Sequence, residues 1–182
     1  MSLCVLDLLV SSILGRPSAT ATLRPDMASV NPRTRPHSLL ASYRLSIILD
    51  EIITRLYSEK AASADAAESF LAKLKHWSDN LPESLRSPPT HDSNAQEHII
   101  GSLHVACAYH FAVIIVTRPF LVSALSFRLA QLGQNSDGPV LPEDPAHLKL
   151  ATACTDSAMY MIQTCLEIHH SNLLLGNMCI LK

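Results

Sequence analysis

The sequence predicts an all-α fold, an irregular helical bundle with a central buried helix and no significant sheet. Apolar residues from Leu45 to Leu56 recur at i, i+3, i+4, i+7, i+8 and i+11, which is the spacing of one helix face. Residues His98 to Thr117 are apolar on almost every side, as expected of a helix in the middle of a bundle. No segment shows the period-two alternation that is typical of a half-buried strand.

The composition indicates one folded domain, residues 1–182, that packs against neighbouring segments. Hydrophobic residues make up 48% of the chain, which excludes wholesale disorder. Charged residues make up only 16%, below the roughly 25% that is usual for a free-standing domain. The formal net charge of -2 gives no cationic surface for a nucleic acid. We therefore expect no DNA binding by this segment alone.

The chain contains five cysteines, namely Cys4, Cys107, Cys154, Cys165 and Cys179. They are odd in number and widely scattered, and no two of them have C-x-x-C spacing. This pattern argues against a disulfide framework or a structural zinc site and is typical of a reducing compartment. We interpret them as free thiols that act as small apolar residues in the core.

The N-terminal segment predicts a helix from Ser2 to Leu14. Gly15 can adopt the left-handed conformation that closes a helix, and Pro17 prevents its continuation. A cleaved signal peptide is the less favoured alternative, because no Lys or Arg precedes the apolar run and Asp7 lies inside it. Residues 16–36 contain four prolines, which predicts a loop.

Two further helices are predicted in the first half of the chain. One starts near Ser38 and ends around Tyr57. The next starts at Asp65, which has capping-box spacing with Glu68. Its apolar stripe consists of Ala67, Phe70, Leu71, Leu74 and Trp77. The polar span 84–97 contains two adjacent prolines and is predicted to be a linker loop.

The second half of the chain predicts the central helix and one more long helix. Pro119 is expected to kink or interrupt the central helix, which resumes from Phe120 to Leu132. Residues 133–143 are predicted to be a second linker loop. Asp144-Pro145 supplies an N-cap followed by proline at the first helical position. The buried face of this last helix is predicted to be Ala151, Cys154, Ala158, Met161, Ile162 and Cys165.

No motif for catalysis is visible, and the residues that are spaced like metal ligands favour structural interpretations. His104, Cys107 and His110 lie at i, i+3 and i+6, which places the outer two about 120° apart around a helix. We therefore predict a core helix with hydrogen-bonded imidazoles and no metal site. His169-His170 is interpreted as a solvated helix end. The chain has no nucleophile elbow, P-loop, dinucleotide fingerprint or H-E-x-x-H motif, so we predict that it is not an enzyme.

Four blocks of residues carry a resemblance to a known family. The first is Ser2-Leu3, Leu6-Asp7, Ser11-Ser12 and Leu14-Gly15-Arg16-Pro17; the second runs from Arg44 to Tyr57-Ser58; the third is Leu74, Trp77, Leu81-Pro82 and Leu85; the fourth is Leu103-His104, Tyr109-His110 and Arg118-Pro119-Phe120-Leu121. In this order they resemble the fungus-specific transcription factor domain, or middle homology region, of binuclear zinc-cluster regulators of the xylanolytic-activator type. The chain departs from the family's pattern at Cys4 and Leu8, and the acidic stretch after Pro17 is thin.

The resemblance implies a nuclear, non-enzymatic domain that regulates DNA-templated transcription. In the family, DNA is bound by an N-terminal zinc cluster of six closely spaced cysteines, which no segment here offers. We therefore expect a single partial regulatory domain, truncated at its N-terminus, with no cofactor of its own and no membrane contact. The implied partners are other segments of the transcription factor, coregulators or a small apolar effector. Self-association is also expected, because absent helices would leave apolar surface exposed.

Eight residues are assigned as family-signature or structural positions: Asp7, Gly15, Arg16, Pro17, Trp77, Arg118, Pro119 and Phe120. Asp7 lies in an apolar helix, so its carboxylate needs a partner, for which Arg16 and Arg118 are the candidates. Two alternative functions stay open. One is a helical small-molecule receptor with a pocket between its helices, and the other is a truncated regulator without independent activity.

Overall fold

The computed structural model describes residues 37–58, 63–86, 95–133 and 144–170, together with Asp7, Val10, Ser11 and Ala19; for Ser58 and residues 95–98 it describes the backbone alone. Asp7, Val10 and Ser11 are helical, in agreement with the predicted first helix. The rest of that helix and of the loop 16–36, including Gly15, Arg16 and Pro17, lies outside the described residues, as do Cys4 and Cys179.

Five α-helices follow one another along the chain. They are α1 (His37–Ile52), α2 (Ala64–Asp79), α3 (Glu83–Arg86), α4 (Ala95–Gly133) and α5 (Pro145–His170). A π-helical stretch, Ile53–Ser58, continues α1. Across the four described ranges no residue is in a strand, so the predicted all-α class is confirmed.

The central helix is α4, which packs against all four of the other helices. Its buried side chains meet those of the other helices in one core. The largest fully buried side chains of that core are Leu45, Leu49, Ile52, Leu74, Val105, Ile115, Val116 and Leu150. By length and composition the stretch Ile99–Leu132 also meets the requirements of a membrane span, and a third of its most apolar window is buried in the fold. The middle of this stretch packs in the core, which confirms the predicted central helix.

The two longest helices, α4 and α5, form an antiparallel pair. The rings of Phe120 and His147 lie 5.2 Å apart at one end of the pair. His110, about three turns earlier on α4, is 3.2 Å from the Ser157 hydroxyl, about three turns later on α5. Residue numbers therefore rise along one helix as they fall along the other. This pairing makes the largest interhelical contact in the described part of the chain.

Pro119 lies inside α4, which continues through it without interruption. A proline lacks the N–H that would bond to the carbonyl four residues earlier, here that of Ile115. The hydroxyl of Tyr57 donates to that carbonyl at 2.7 Å. The Arg118 guanidinium lies 5.2 Å from the centre of the Tyr57 ring. The π-helical end of α1 therefore supplies the donor that Pro119 removes, and the interruption considered from the sequence does not occur.

Two predicted boundaries in the first half differ from the structure. Ser63 is the N-cap of α2, since the N–H of Ala66 donates to its hydroxyl at 3.2 Å. Asp65 lies in the first turn, where its negative charge is favourable near the positive end of the helix dipole. The predicted linker 84–97 begins within α3 and ends within α4, and its middle part lies outside the described residues. Burial of Leu85 explains why α3 forms directly after Pro82.

The start of α5 is as predicted, but its buried face is rotated. The N–H of Ala146 donates to the Asp144 carboxylate at 3.0 Å, which confirms the N-cap. Ile162 and Cys165 are exposed, contrary to the prediction. Among the buried residues of α5 are Leu150, Ala151, Cys154, Ser157 and Thr164. This face is buried because it contacts α4. A prediction from hydrophobicity alone misses it, since some of its buried residues have small hydroxyl side chains.

We expect Tyr57→Phe to lower the free energy of unfolding by about 1–3 kcal/mol, because the buried carbonyl of Ile115 loses its donor. In a Pro119→Ala background the same substitution should cost less, since the N–H introduced at position 119 can bond to that carbonyl. Urea unfolding of the four proteins measures this coupling. Tyr160→Phe is a matched control, because Tyr160 is an exposed residue, 43% accessible. Equal losses in both backgrounds would contradict the role assigned to Tyr57.

Candidate functional site

An exposed apolar stripe runs along the C-terminal part of α4. It consists of Val122, Leu125, Leu129 and Leu132, each more than half exposed. These residues recur at i, i+3, i+7 and i+10, so they lie on one side of the helix. An exposed row of this kind is typical of a surface that contacts another helix.

A second exposed stripe runs along α5 beside its buried face. It consists of Leu148, Thr152, Thr155, Met159, Ile162 and Leu166, at i, i+4, i+7, i+11, i+14 and i+18. The hydroxyls of Thr152 and Thr155 donate to carbonyls of their own helix at 2.9 and 2.8 Å. Both hydroxyl protons are therefore already bonded, and the stripe can cover an apolar surface at little polar cost. Its repeat of about 3.5 residues is that of a coiled-coil seam.

The two stripes meet in a shallow groove of about 180 Å³ between α4 and α5. Its lining consists of Leu121, Ala124, Leu125 and Arg128 from α4, and of Leu148, Ala151, Thr152 and Thr155 from α5. Leu125, Leu148, Thr152 and Thr155 belong both to the groove and to the stripes. We call the two stripes and this groove together the α4–α5 apolar face.

A larger cleft of about 570 Å³ lies between α1 and α2; we call it the α1–α2 cleft. Its apolar lining consists of Leu40, Ala41, Ile48, Trp77, Leu81 and Pro82, and its polar lining of His37, Arg44, Lys73, His76 and Asn80. The Trp77 ring stacks on Tyr109 with the ring centres 6.3 Å apart and the planes 8° apart. The cleft thus combines a fixed apolar floor with basic and amide side chains.

The charges around the α1–α2 cleft are mainly positive. Lys73 binds the Glu51 carboxylate, and Arg55 lies 3.5 Å from the same carboxylate. Arg44 forms no ion pair with another residue of the described ranges, and the described lining contains no Asp or Glu. Within the described ranges, the positive charge of Arg44 is therefore not neutralised by an ion-pair partner.

His110 connects α4 to α5 through two contacts and also touches a neighbouring ring of its own helix. Its Nδ1 lies 3.2 Å from the Ser157 hydroxyl, and its ring stacks on Tyr160 with the centres 4.0 Å apart. Its ring is also nearly perpendicular to that of Tyr109, with the ring centres 5.2 Å apart. Burial lowers the pKa of His110, because desolvation disfavours the charged ring. Neither of the two clefts is lined by His110 or Ser157, so we interpret this pair as an interhelical contact.

The other described histidines and cysteines that could bind a metal do not come together in one site. Among the residues that the structure describes, no group of three or more His, Cys, Asp or Glu side chains is placed to hold a metal ion. His104 is exposed, whereas Cys107 is partly buried on the same helix. His169 and His170 are both exposed at the end of α5, with their ring planes 83° apart.

Of the eight signature residues predicted from the sequence, two lie in the core, and Gly15, Arg16 and Pro17 lie outside the described residues. Trp77 and Phe120 are buried, and Trp77 also lines the α1–α2 cleft. Arg118 and Pro119 lie beside the Tyr57 contact described above. The Asp7 carboxylate accepts a hydrogen bond from the Ser11 hydroxyl at 3.5 Å. Its pairing with an arginine stays a prediction.

Neither surface was identified from the sequence. The stripe on α5 could have been found from its heptad spacing alone. Its apolar residues and threonines follow one another at steps that alternate between four and three residues. The α1–α2 cleft has no such signal, since its lining comes from two helices whose packing angle is not encoded in a local pattern.

No family model, curated protein or solved structure matches this chain. The resemblance to the fungus-specific transcription factor domain therefore rests on the four blocks of residues alone.

We expect the stability of the protein to fall in mild acid partly because of His110. Its folded-state pKa lies below the ordinary 6.5, so the unfolded chain takes up this proton first as the pH falls. Stability is therefore lost from about pH 6.5 downward, through the lower folded-state pKa. Thermal melts of His110→Gln between about pH 7.5 and 5.5 should show a smaller loss than the parent protein. The exposed His169→Gln controls for the removal of one histidine; an unchanged pH dependence in His110→Gln would contradict this account.

Proposed function

We propose that the chain is a regulatory interaction domain of a fungal zinc-cluster transcription factor and binds a partner helix on the α4–α5 apolar face. The observation that carries this proposal is the pair of exposed apolar stripes on α4 and α5, both with heptad spacing. The resemblance of the four residue blocks supplies the biological setting.

Burial of these stripes would provide the binding energy. Covering a fully exposed Leu, Ile or Met side chain contributes about 1.5–3 kcal/mol, and the two rows meet at one groove. Heptad spacing favours a partner helix that crosses at a shallow angle, with its side chains between those of the stripes. The occupant we propose is an amphipathic helix from another segment of the transcription factor, with a coregulator helix or a second copy as the alternatives.

The proposal requires no chemistry from this segment. Packing and release of a helix is sufficient to permit or restrain activation, because packed interfaces switch between discrete arrangements. On this proposal the domain acts in the nucleus, DNA is contacted through a zinc cluster outside the segment, and the segment itself holds no cofactor and contacts no membrane.

A reporter assay tests the regulatory role. The whole chain, fused to a heterologous bacterial DNA-binding domain in a fungal host, should change reporter transcription several-fold relative to that DNA-binding domain alone. Leu129→Asp and Met159→Asp each place a charge in a stripe and should abolish the change. Gln131→Asp is the matched control, because Gln131 is exposed on α4 away from its stripe. Transcription equal to that of the DNA-binding domain alone would contradict the regulatory role.

The same face predicts self-association of the isolated chain. In sedimentation velocity the parent protein should form dimers or larger species as its concentration rises, since exposed apolar stripes can cover each other. Leu129→Asp and Met159→Asp should shift it to the monomer, whereas Gln131→Asp should not. Because these positions are exposed, the free energy of unfolding of each variant should lie within about 0.5 kcal/mol of that of the parent. A compact monomer at every concentration would count against the apolar face as an interface between copies.

A further inference from the structure

We propose that the α1–α2 cleft binds an amphipathic monocarboxylate, with its carboxylate on Arg44 and its apolar body along the floor of the cleft. This inference goes beyond the proposed function, because it concerns a small ligand and does not involve the α4–α5 apolar face.

The size and floor of the cleft suit a small apolar body. Its volume of about 570 Å³ lies within the range of pockets that enclose small molecules. Ile48 and Trp77 are buried with part of their surface left toward the cleft, and Leu40 lies one turn before Arg44 on α1. Because Trp77 is stacked on Tyr109, the floor is already in place before a ligand arrives.

Both helices present a continuous row of residues to the cleft. On α1 the row is His37, Leu40, Ala41, Arg44 and Ile48, and on α2 and its C-cap it is Lys73, His76, Trp77 and Asn80. Each row follows the three- and four-residue spacing of one helix face. The cleft is therefore built from two regular helix faces, whose relative position is fixed by the core beneath them.

The polar groups of the cleft select a single negative charge. Arg44 can hold a carboxylate through two parallel N–H donors. Lys73 is already bound to Glu51, so a doubly charged phosphate would lack a second free cation. His37 lies 3.4 Å from the Ser84 hydroxyl, and the Asn80 amide donates to the His76 carbonyl at 2.7 Å. The arrangement thus fits one carboxylate joined to a hydrocarbon body.

The chain provides its own probe, since Trp77 is its single tryptophan. Titration of the full chain with decanoate, kept below its micelle concentration, should change the Trp77 fluorescence in a saturable manner. The neutral analogue 1-decanol should bind more weakly, because it cannot form charge-assisted bonds with Arg44.

Arg44→Gln should weaken decanoate binding about tenfold or more, since it removes the charged partner but keeps an amide donor. Arg55→Gln is the matched control, because Arg55 lies in the π-helical stretch that continues α1 and does not line the cleft. Both arginines are exposed, and circular dichroism should show unchanged helix content. The proposal is overturned if the fluorescence does not saturate, if Arg44→Gln binds as tightly as Arg55→Gln, or if decyl phosphate binds more tightly than decanoate.

Discussion

The structure depends on the continuity of α4 across Pro119. This proline removes a backbone donor within the most apolar of the five described helices, where an unpaired carbonyl is costly. Tyr57 supplies the missing hydrogen bond, and burial raises the pKa of its hydroxyl, so the donor stays protonated. Without an unbroken passage through Pro119, the half of α4 that fills the core and the half that carries the exposed stripe would not belong to one helix.

The distribution of polar and apolar residues on α5 supports two separate roles for this helix. Ser157 and Thr164 are buried, whereas Met159, Ile162 and Leu166 are more than half exposed. Stability of the isolated domain alone would favour the opposite arrangement, because burying the larger apolar side chains removes more surface from water. The exposed seam is explained if it is covered by another helix during function, while the buried face is adapted to the close approach of α4.

Much of the fold follows from local patterns, and the surfaces do not. The helical period of Leu45 to Leu56 predicts α1, and Asp144-Pro145 predicts the start of α5, because both signals are contained in a few neighbouring residues. The N-cap of α2 was misassigned because Asp65 and Ser63 are both acceptable caps, and only the hydrogen bond to Ala66 distinguishes them. The donor for the Ile115 carbonyl and the lining of the α1–α2 cleft come from distant parts of the chain, so they require the tertiary structure.

The two proposed surfaces are joined by a continuous row of aromatic contacts. Trp77 in the cleft stacks on Tyr109, the Tyr109 ring lies nearly perpendicular to His110, and His110 stacks on Tyr160 of α5. Tyr160 follows Met159, a residue of the exposed seam. A ligand in the cleft would affect a helix on the apolar face only if it bound two arrangements of this row with different affinity, and the helix would then affect the ligand equally. A rigid row would instead leave the two sites independent, so any coupling between them must come from a rearrangement at Tyr109 and His110, where α2, α4 and α5 meet.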